Sequence, residues 1–539
     1  VSFSADLIVT GGPLFSRGRV LVGSAVAVRG DRIVALGPET EVMALAGPRT
    51  RLVYLGGRMA LPGFVDAHLH LVDYGMTLRQ VDCRFPKVRS IGDIQERVRE
   101  RARVTPPGRW VRAWGYDQSK LEEGRHPTRH DLDEACPDLP VVLWRTCGHI
   151  AVVNSTVFRM ADITSLTPDP PGGRFDRDPG GEPNGVLRET ALAVLEALGG
   201  PGEEELVEAV RLGSRELARR GITSVHEAGV SAPALRALQE ARRAGDLVTR
   251  VYLMLTPSDE AYQEAFMRTG LETGFGDDWL KVGPLKLMLD GSSSGPTAAT
   301  RDPYSSDPRD RGILRLPPTE VKRRFEAAAE AGFQVTAHAV GDLAVETAVE
   351  ALEALAEVVG DGGPAGGRYR WRHRIEHCAM TDAALRERIK GLGAVPVLQP
   401  VFLWEFGDGY VLNYGRERAS AMFPAGSFGR AGVRFALSTD CPVTSPDPML
   451  NVFVAVTRRT MSGDTLGPEE RLTLAEALEA YTFGGAWAAH EEDLKGSLEP
   501  GRLADITVLS GDPFRVSIEG TRELRAVMTI VGGRVVHEE

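Results

Sequence analysis

Short aliphatic runs open and close the chain. Residues 7–10, 25–28, 33–36 and 51–55 are strand-like stretches separated by Gly-rich turns, and 506–509, 526–531 and 534–537 repeat the style at the other end. This pattern predicts one small β-sandwich built from both termini, residues 1–60 with 490–539. Between them, apolar runs alternate with amphipathic helical patterns, the order expected of parallel β/α units. Nine runs read as strands: 64–70, 141–147, 223–227, 251–255, 284–289, 334–338, 374–377, 395–399 and 434–440. A (β/α)8 barrel needs eight. The 153 positions from His70 to Thr223 far exceed a crossover helix, so the 141–147 run is assigned to an insertion over residues 72–200. The expected fold is therefore α/β: a TIM-like barrel over 61–489, a sandwich from both ends, and a large insertion after barrel strand 1. Emerging there, the insertion would lie over the C-terminal mouth as a lid.

Composition narrows the function classes. The 539 residues are 42% hydrophobic and 25% charged, an ordinary globular mix. The net charge of −11, with Lys and Arg scattered, argues against a nucleic-acid or membrane partner. The five cysteines show no C-x-x-C spacing, so neither a disulfide framework nor a thiolate zinc site is expected. No stretch approaches the ~20 apolar residues of a membrane span. Residues 1–10 carry no basic leader pattern, and a cytoplasmic protein is expected. A homo-oligomer is compatible with these features and not required by them.

The polar residues on the eight barrel strands are the informative ones. His68 and His70 close strand 1, His226 lies on strand 2, Lys286 on strand 4, His338 ends strand 5, His377 ends strand 6 and Asp440 ends strand 8. Residues two apart on a strand share a face, so His68 and His70 can both enter the barrel at the end where such folds place their sites. Each has a plain alternative: a histidine at a strand end is more often a hydrogen-bonded rim residue, and Asp440 could cap a turn. Their coincidence at one end of several strands points to a metal centre. His373, four residues before His377, would lie about 13 Å away along a strand, so His377 is the better ligand. Only seven of the 63 basic residues are lysine, which makes Lys286 inside an apolar strand unusual. A buried ammonium needs an anionic partner or a lowered pKa. The readings left open are an ion pair with Asp290 and a carbamate, which a neutral amine forms with CO2 and a guanidinium cannot.

Residues 61–70, Leu-Pro-Gly-Phe-Val-Asp-Ala-His-Leu-His, resemble the strand-1 signature of the amidohydrolase superfamily, and residues 496–505 resemble its return into the sandwich. More narrowly, residues 127–133, Gly148-His149 with Asn154-Ser155, Lys286 with 290–292, residues 338–342 and 375–377 resemble the branch containing N-substituted formamide deformylase. The resemblance implies two divalent ions, usually zinc, one held by His68, His70 and Asp440 and the other by His338 and His377. Carbamylated Lys286 and a hydroxide would bridge them. The implied reaction is hydrolysis of a small-molecule amide, with Asp440 moving the proton and His149 and His226 donating to the carbonyl oxygen or orienting substrate. Packing and support of the ligands are the alternatives for those two histidines. Cys147 and Pro296 depart from the branch pattern around the presumed pocket, which bears on substrate and not on the metal centre.

With no basic cluster evident, an uncharged N-formyl or N-acyl amine is the expected substrate. Trp110, Trp114, Trp144, Tyr304, Phe402, Trp404 and Phe406 are expected to make the mouth apolar. The rival readings are a mononuclear deaminase, a lactone or phosphotriester hydrolase on the same fold, and a non-catalytic scaffold, which would be expected to lack ligands.

Overall fold

The computed structural model describes residues 4–256, 259–359 and 372–539. Eight parallel strands form one sheet in strict chain order: β1 (Phe64–Leu69), β2 (Ile222–Val230), β3 (Arg250–Leu255), β4 (Leu280–Met288), β5 (Val335–Ala339), β6 (Arg374–His377), β7 (Val395–Leu398) and β8 (Ala436–Leu437). The sheet closes on itself at its C-terminal rim. There the Asp440 amide donates to the His68 carbonyl at 2.8 Å and the His70 amide to the Cys441 carbonyl at 2.7 Å. Lower down, helix Phe483–Ala488 packs on both β1 and the start of β8. Its Gly484 and Gly485 are required there, because a Cβ would stand 2.6 Å from the Phe435 oxygen and from Val65 Cγ1 respectively. Outside the strands, Leu253, Leu285, Leu287 and Val335 pack with Leu217, Leu238, Phe325, Leu352 and Leu385 of the surrounding helices in one continuous core.

Two strands differ from the sequence expectation for local reasons. Strand β8 is only two residues long, Ala436–Leu437, rather than 434–440, and beyond it Asp440 takes a left-handed φ of +56°. Strand β4 begins at Leu280 and runs through Pro284, which has no amide to donate. Its pairing with β3 shifts register between Leu253 and Leu255.

The β-sandwich is built from both chain ends. One sheet has the order Arg32–Pro38, Ser24–Arg29, Leu7–Thr10, Arg51–Tyr54. The other has the order Arg534–Glu538, Ala526–Val531, Ile506–Leu509, Ala60–Pro62, Leu14–Ser16, Arg19–Leu21. Leu7, Val9, Val26 and Val28 of the first sheet share a core with Leu14, Ile506, Val508 and Ile530 of the second.

The 141–147 run is, as expected, not a barrel strand. It supplies Val141–Arg145 to a six-stranded sheet of the insertion, ordered Gly173–Arg177, Pro183–Glu189, Ile150–Val153, Val141–Arg145, Val111–Tyr116, Val81–Asp82. The insertion is fixed over the barrel mouth by polar contacts to loops after several strands. Arg145, 1% exposed, pairs with Asp117 at 3.0 Å and donates to Ser294 Oγ at 3.0 Å, while Thr146 Oγ1 donates to the Val443 carbonyl at 3.1 Å. Lys120 reaches Glu405 at 3.4 Å. Among the described residues no helix is long and apolar enough to cross a membrane.

Candidate metal centre

The bulge in β1 opposite β2 lets the chain present His68 at the strand end and His70 just beyond it. His68 Nδ1 lies 2.6 Å from Glu376 Oε2, a contact that commits this nitrogen and leaves Nε2 facing Asp440 Oδ1 at 3.4 Å. Such a carboxylate behind a histidine fixes its tautomer and raises its basicity toward a metal. Glu376 is itself held by Arg374 Nε at 2.8 Å and Thr336 Oγ1 at 2.6 Å. His70 Nε2 stands 3.3 Å from the same Asp440 oxygen. One ligand atom each from His68, His70 and Asp440 lie within 4.8 Å of one another, the one such group among the described residues.

Asp440 Oδ1 is buried and accepts no hydrogen bond, and an orphaned carboxylate oxygen between two histidine nitrogens is the donor arrangement of a divalent cation. Burial opposes the charge on Asp440, but the fields of His68, His70 and His377 hold the carboxyl well below the usual carboxylate range. The residues present fit a metal ion.

Lys286 is 1% exposed, and its Nζ donates to the Ala228 carbonyl at 2.9 Å and lies 3.4 Å from His68 Nε2. Burial lowers its pKa, with Glu376 and Asp440 acting against that. The ion pair with Asp290 does not form: the Asp290 oxygens accept the amides of Ala299, Val340 and Gly341 at 3.0, 3.0 and 2.8 Å, and burial pushes its carboxyl up to about 7. Of the two readings of Lys286, this one is removed.

The other two histidines lie beside the first group. His377 takes φ +69°, and its Nδ1 is 2.8 Å from Gln399 Oε1, which leaves Nε2 free. His338 Nε2 is 3.1 Å from the Gly291 carbonyl. The ring centres of His338 and His377 are 4.4 Å apart, and those of His68 and His377 4.8 Å. His149 arrives from the insertion, its ring centre 5.4 Å from that of His338 and its Nδ1 2.9 Å from Glu189.

His226 is not brought to this group. It is fully buried deeper in the barrel, its ring 5.1 Å from that of Tyr252 and its Nδ1 accepting from Arg374 at 2.8 Å. Ala228, two residues on, takes the level of Lys286 instead, so the expectation that His226 meets the substrate is corrected to a place beneath the ligands. The expected mouth aromatics divide between separate cores. Trp110 and Trp144 are partly buried against a core of the insertion that holds Val142, Val153 and Phe158, and Trp404 packs on Phe453. Phe402 does border the site, 6.1 Å from His377.

Glu376, Gln399 and Glu189 were missed as functional residues by sequence reasoning. Glu376 had a signal, a carboxylate in a buried strand next to His377. Gln399 and Glu189 had none until the fold paired them with histidines.

Eight parallel strands that gather histidines, a lysine and an aspartate at one rim, beneath an inserted cover, define a metal-dependent hydrolase barrel. The family model described as "Amidohydrolase family" matches residues 51–537, and the chain belongs to that family. It is 30% identical over 502 residues to YtcJ of Bacillus subtilis, covering 91% of each chain. It is 29% identical over 533 residues to N-substituted formamide deformylase of Arthrobacter pascens, covering 95% of each. Among solved structures, it resembles an uncharacterized metal-dependent hydrolase from Pyrococcus horikoshii with TM-score 0.76 and 28% identity, over 95% of this chain and 99% of that one.

Proposed function

We propose that this enzyme hydrolyses the C–N bond of an uncharged N-formyl or N-acyl amine, using two divalent ions, zinc or a neighbouring metal. His68, His70 and Asp440 would hold one ion, His338 and His377 the other, and carbamylated Lys286 would bridge them. The observation that carries the reading is the orphaned Asp440 oxygen between His68 and His70, with Lys286 beside them and without a carboxylate partner. Such ions, when bound, polarise a carbonyl and lower the pKa of water.

The remaining chemistry belongs to the chain. The Lys286 amine, its charge disfavoured by burial, adds to CO2 and loses a proton, which turns a buried cation into an anion suited to a cationic centre. Asp440 accepts the proton of the attacking water and delivers it to the leaving nitrogen as the C–N bond breaks. Glu376 and Gln399 keep His68 and His377 in fixed tautomers. The insertion excludes bulk water and offers His149 to the scissile amide. Arg145 at the mouth is neutralised by Asp117, so this cation is not free to select a substrate carboxylate. N-formyl arylalkyl amines are therefore the expected better substrates than N-acyl amino acids of equal size.

A mononuclear deaminase is the second reading, favoured by the fact that only His68, His70 and Asp440 form a tight ligand group among the described residues. Elemental analysis of protein saturated with metal and bicarbonate separates the two: about two ions per chain supports the proposal, and one ion favours the deaminase. Matched kcat/KM values on amide, lactone and phosphotriester panels then test the reaction. A clear preference for carboxylate-bearing amides would overturn the substrate class.

A further inference from the structure

Glu189 ends the insertion strand Pro183–Glu189 in a conformation that L side chains avoid, φ +52° and ψ −121°, and is 3% exposed. Its amide donates to the His149 carbonyl at 3.0 Å, which continues the antiparallel pairing of this strand with Ile150–Val153, and its Oε2 meets His149 Nδ1 at 2.9 Å. Its carboxylate's other bonds go to segments following β4, Thr297 Oγ1 at 2.8 Å and Arg315 Nη1 at 3.4 Å. Gly291 packs against the same carboxylate, where a Cβ would stand 2.6 Å from Glu189 Oε1, and the Gly291 carbonyl is the group that meets His338 Nε2.

One buried carboxylate thus sets the insertion histidine against the loop that orients a barrel histidine. A tie between insertion and barrel needs only the Thr297 and Arg315 bonds. The side-chain hold on His149 and the strained backbone at Glu189 need a further reason, and strain of this kind gathers at functional sites. With Nδ1 committed to Glu189, Nε2 is the nitrogen left for another partner, and it bonds to nothing among the described residues.

We propose that Glu189 is a positioning residue that fixes the ring of His149, the insertion side chain offered to the scissile amide. The identity of that amide rests on the hydrolase reading above; the hold of Glu189 on His149 does not.

The test has two arms, each on metal-loaded protein with metal content measured. In the first, proteins carry 15N-labelled imidazoles, and the His149 signals are assigned by their loss in His149→Gln. Glu189→Gln is expected to change the ring-nitrogen pattern of His149 while Thr297→Val, which removes only the tie to the barrel, leaves it unchanged. An unchanged pattern in Glu189→Gln, or an equal change in Thr297→Val, overturns the proposal. In the second arm, Glu189→Gln should lower kcat about 10-fold or more with little change in KM and full metal content, as loss of an oriented polar group does. Glu189→Asp should recover part of the loss. Because residues acting as a unit are not additive, His149→Gln with Glu189→Gln should be no slower than His149→Gln alone. Multiplying losses would mean that Glu189 acts elsewhere. If no amide in the panel is turned over, the hydrolase reading fails by itself, and the nitrogen pattern alone decides the role of Glu189.

Discussion

The β-sandwich and the upper barrel interior are equally closed to solvent and filled with opposite materials. The sandwich core holds Leu7, Val9, Val26, Ile506, Val508 and Ile530, each 3% exposed or less. Burying such a side chain contributes about 1.5–3 kcal/mol. The barrel interior holds His68, Lys286, Arg374, Glu376, Gln399 and Asp440, none more than 6% exposed. Charges taken out of water cost several kcal/mol each unless well paired, and even then the pairing adds little net stability. Arg374 and Glu376 meet that cost by pairing at 2.8 Å; Lys286, whose charge burial disfavours and which pairs with no carboxylate among the described residues, does not meet it without a ligand. The sandwich supplies stability without chemistry, and the barrel interior gives up stability to hold groups that a metal can use.

The largest effect should come from the least compensated group. Lys286→Ala is expected to lose metal and abolish turnover, with partial rescue by short carboxylic acids and bicarbonate, and Lys286→Arg should fail as completely. The metal-free Lys286→Ala protein should unfold at no lower denaturant concentration than metal-free wild type, because an unpaired ammonium leaves a low-dielectric site. Elemental analysis and denaturant titration check both parts. Lys286→Arg retaining both ions and full turnover would show that the lysine does not bridge.

The sandwich should respond in the opposite way. Ile506→Ala removes aliphatic volume from a packed core and is expected to cost ~2–5 kcal/mol of stability. Metal content and kcat/KM at 25 °C should stay as in the wild type. A fall in metal content in proportion to the lost stability would break the contrast between the two regions.

The same contrast explains what could be read from the sequence. Aliphatic periodicity reports burial, so the sandwich strands, the eight barrel strands and the exclusion of the 141–147 run were all legible. Polar residues at strand ends reported the rim, and His68, His70 and Asp440 converge there. Periodicity does not report depth inside a barrel or which polar groups meet across it. His226 and His338 both sit in strands and look alike in sequence, yet the one accepts from Arg374 beneath the ligands and the other stands beside His377. Glu189 and His149 are forty positions apart and meet only because two insertion strands bring them together. Trp110 and Trp144 pack against a core of the insertion, which has two faces, and the sequence does not say which one meets the barrel.

A smaller effect is expected from Glu376, which touches His68 from behind. Glu376→Gln should weaken metal affinity ~10–100-fold, the usual consequence of losing a carboxylate that orients a ligating histidine. Chelator competition measures it directly. The fold should persist, since Arg374 keeps its bonds to the Ala67 carbonyl and His226. Unchanged affinity would mean that the tautomer of His68 is set by some other contact.

The smallest effect concerns acid, to which insertion and barrel should each yield through their own buried histidines. His126 lies in the insertion with Nδ1 2.9 Å from the Tyr116 hydroxyl, and burial, with the charges of Arg188 and Arg145, pushes its pKa down to about 3. An unfolded histidine titrates near 6.5. As pH falls from 6.5 toward 3 the unfolded insertion therefore binds a proton that the folded one refuses, and its stability declines through that window. The barrel yields in the same direction, since burial pushes His373 and His377 down to about 4 and His68, His226 and His338 well below the usual imidazole range; two carboxyls offset part of this, burial raising Glu227 and Asp290 to about 7. In metal-free protein they take up protons in the folded state first, so their contribution is fully present below about pH 4 and is lost as pH rises through 7. Hydrogen exchange on metal-free protein between pH 6.5 and 4 should show protection falling in strand Val111–Tyr116 and also in β1 and β2, which carry His68 and His226. His126→Gln should move the insertion's acid transition modestly to lower pH and leave the barrel strands where they were. If both regions lose protection together in the wild type and the variant alike, the insertion and barrel titrate as one cooperative unit, and His126 does not set the acid limit of the cover.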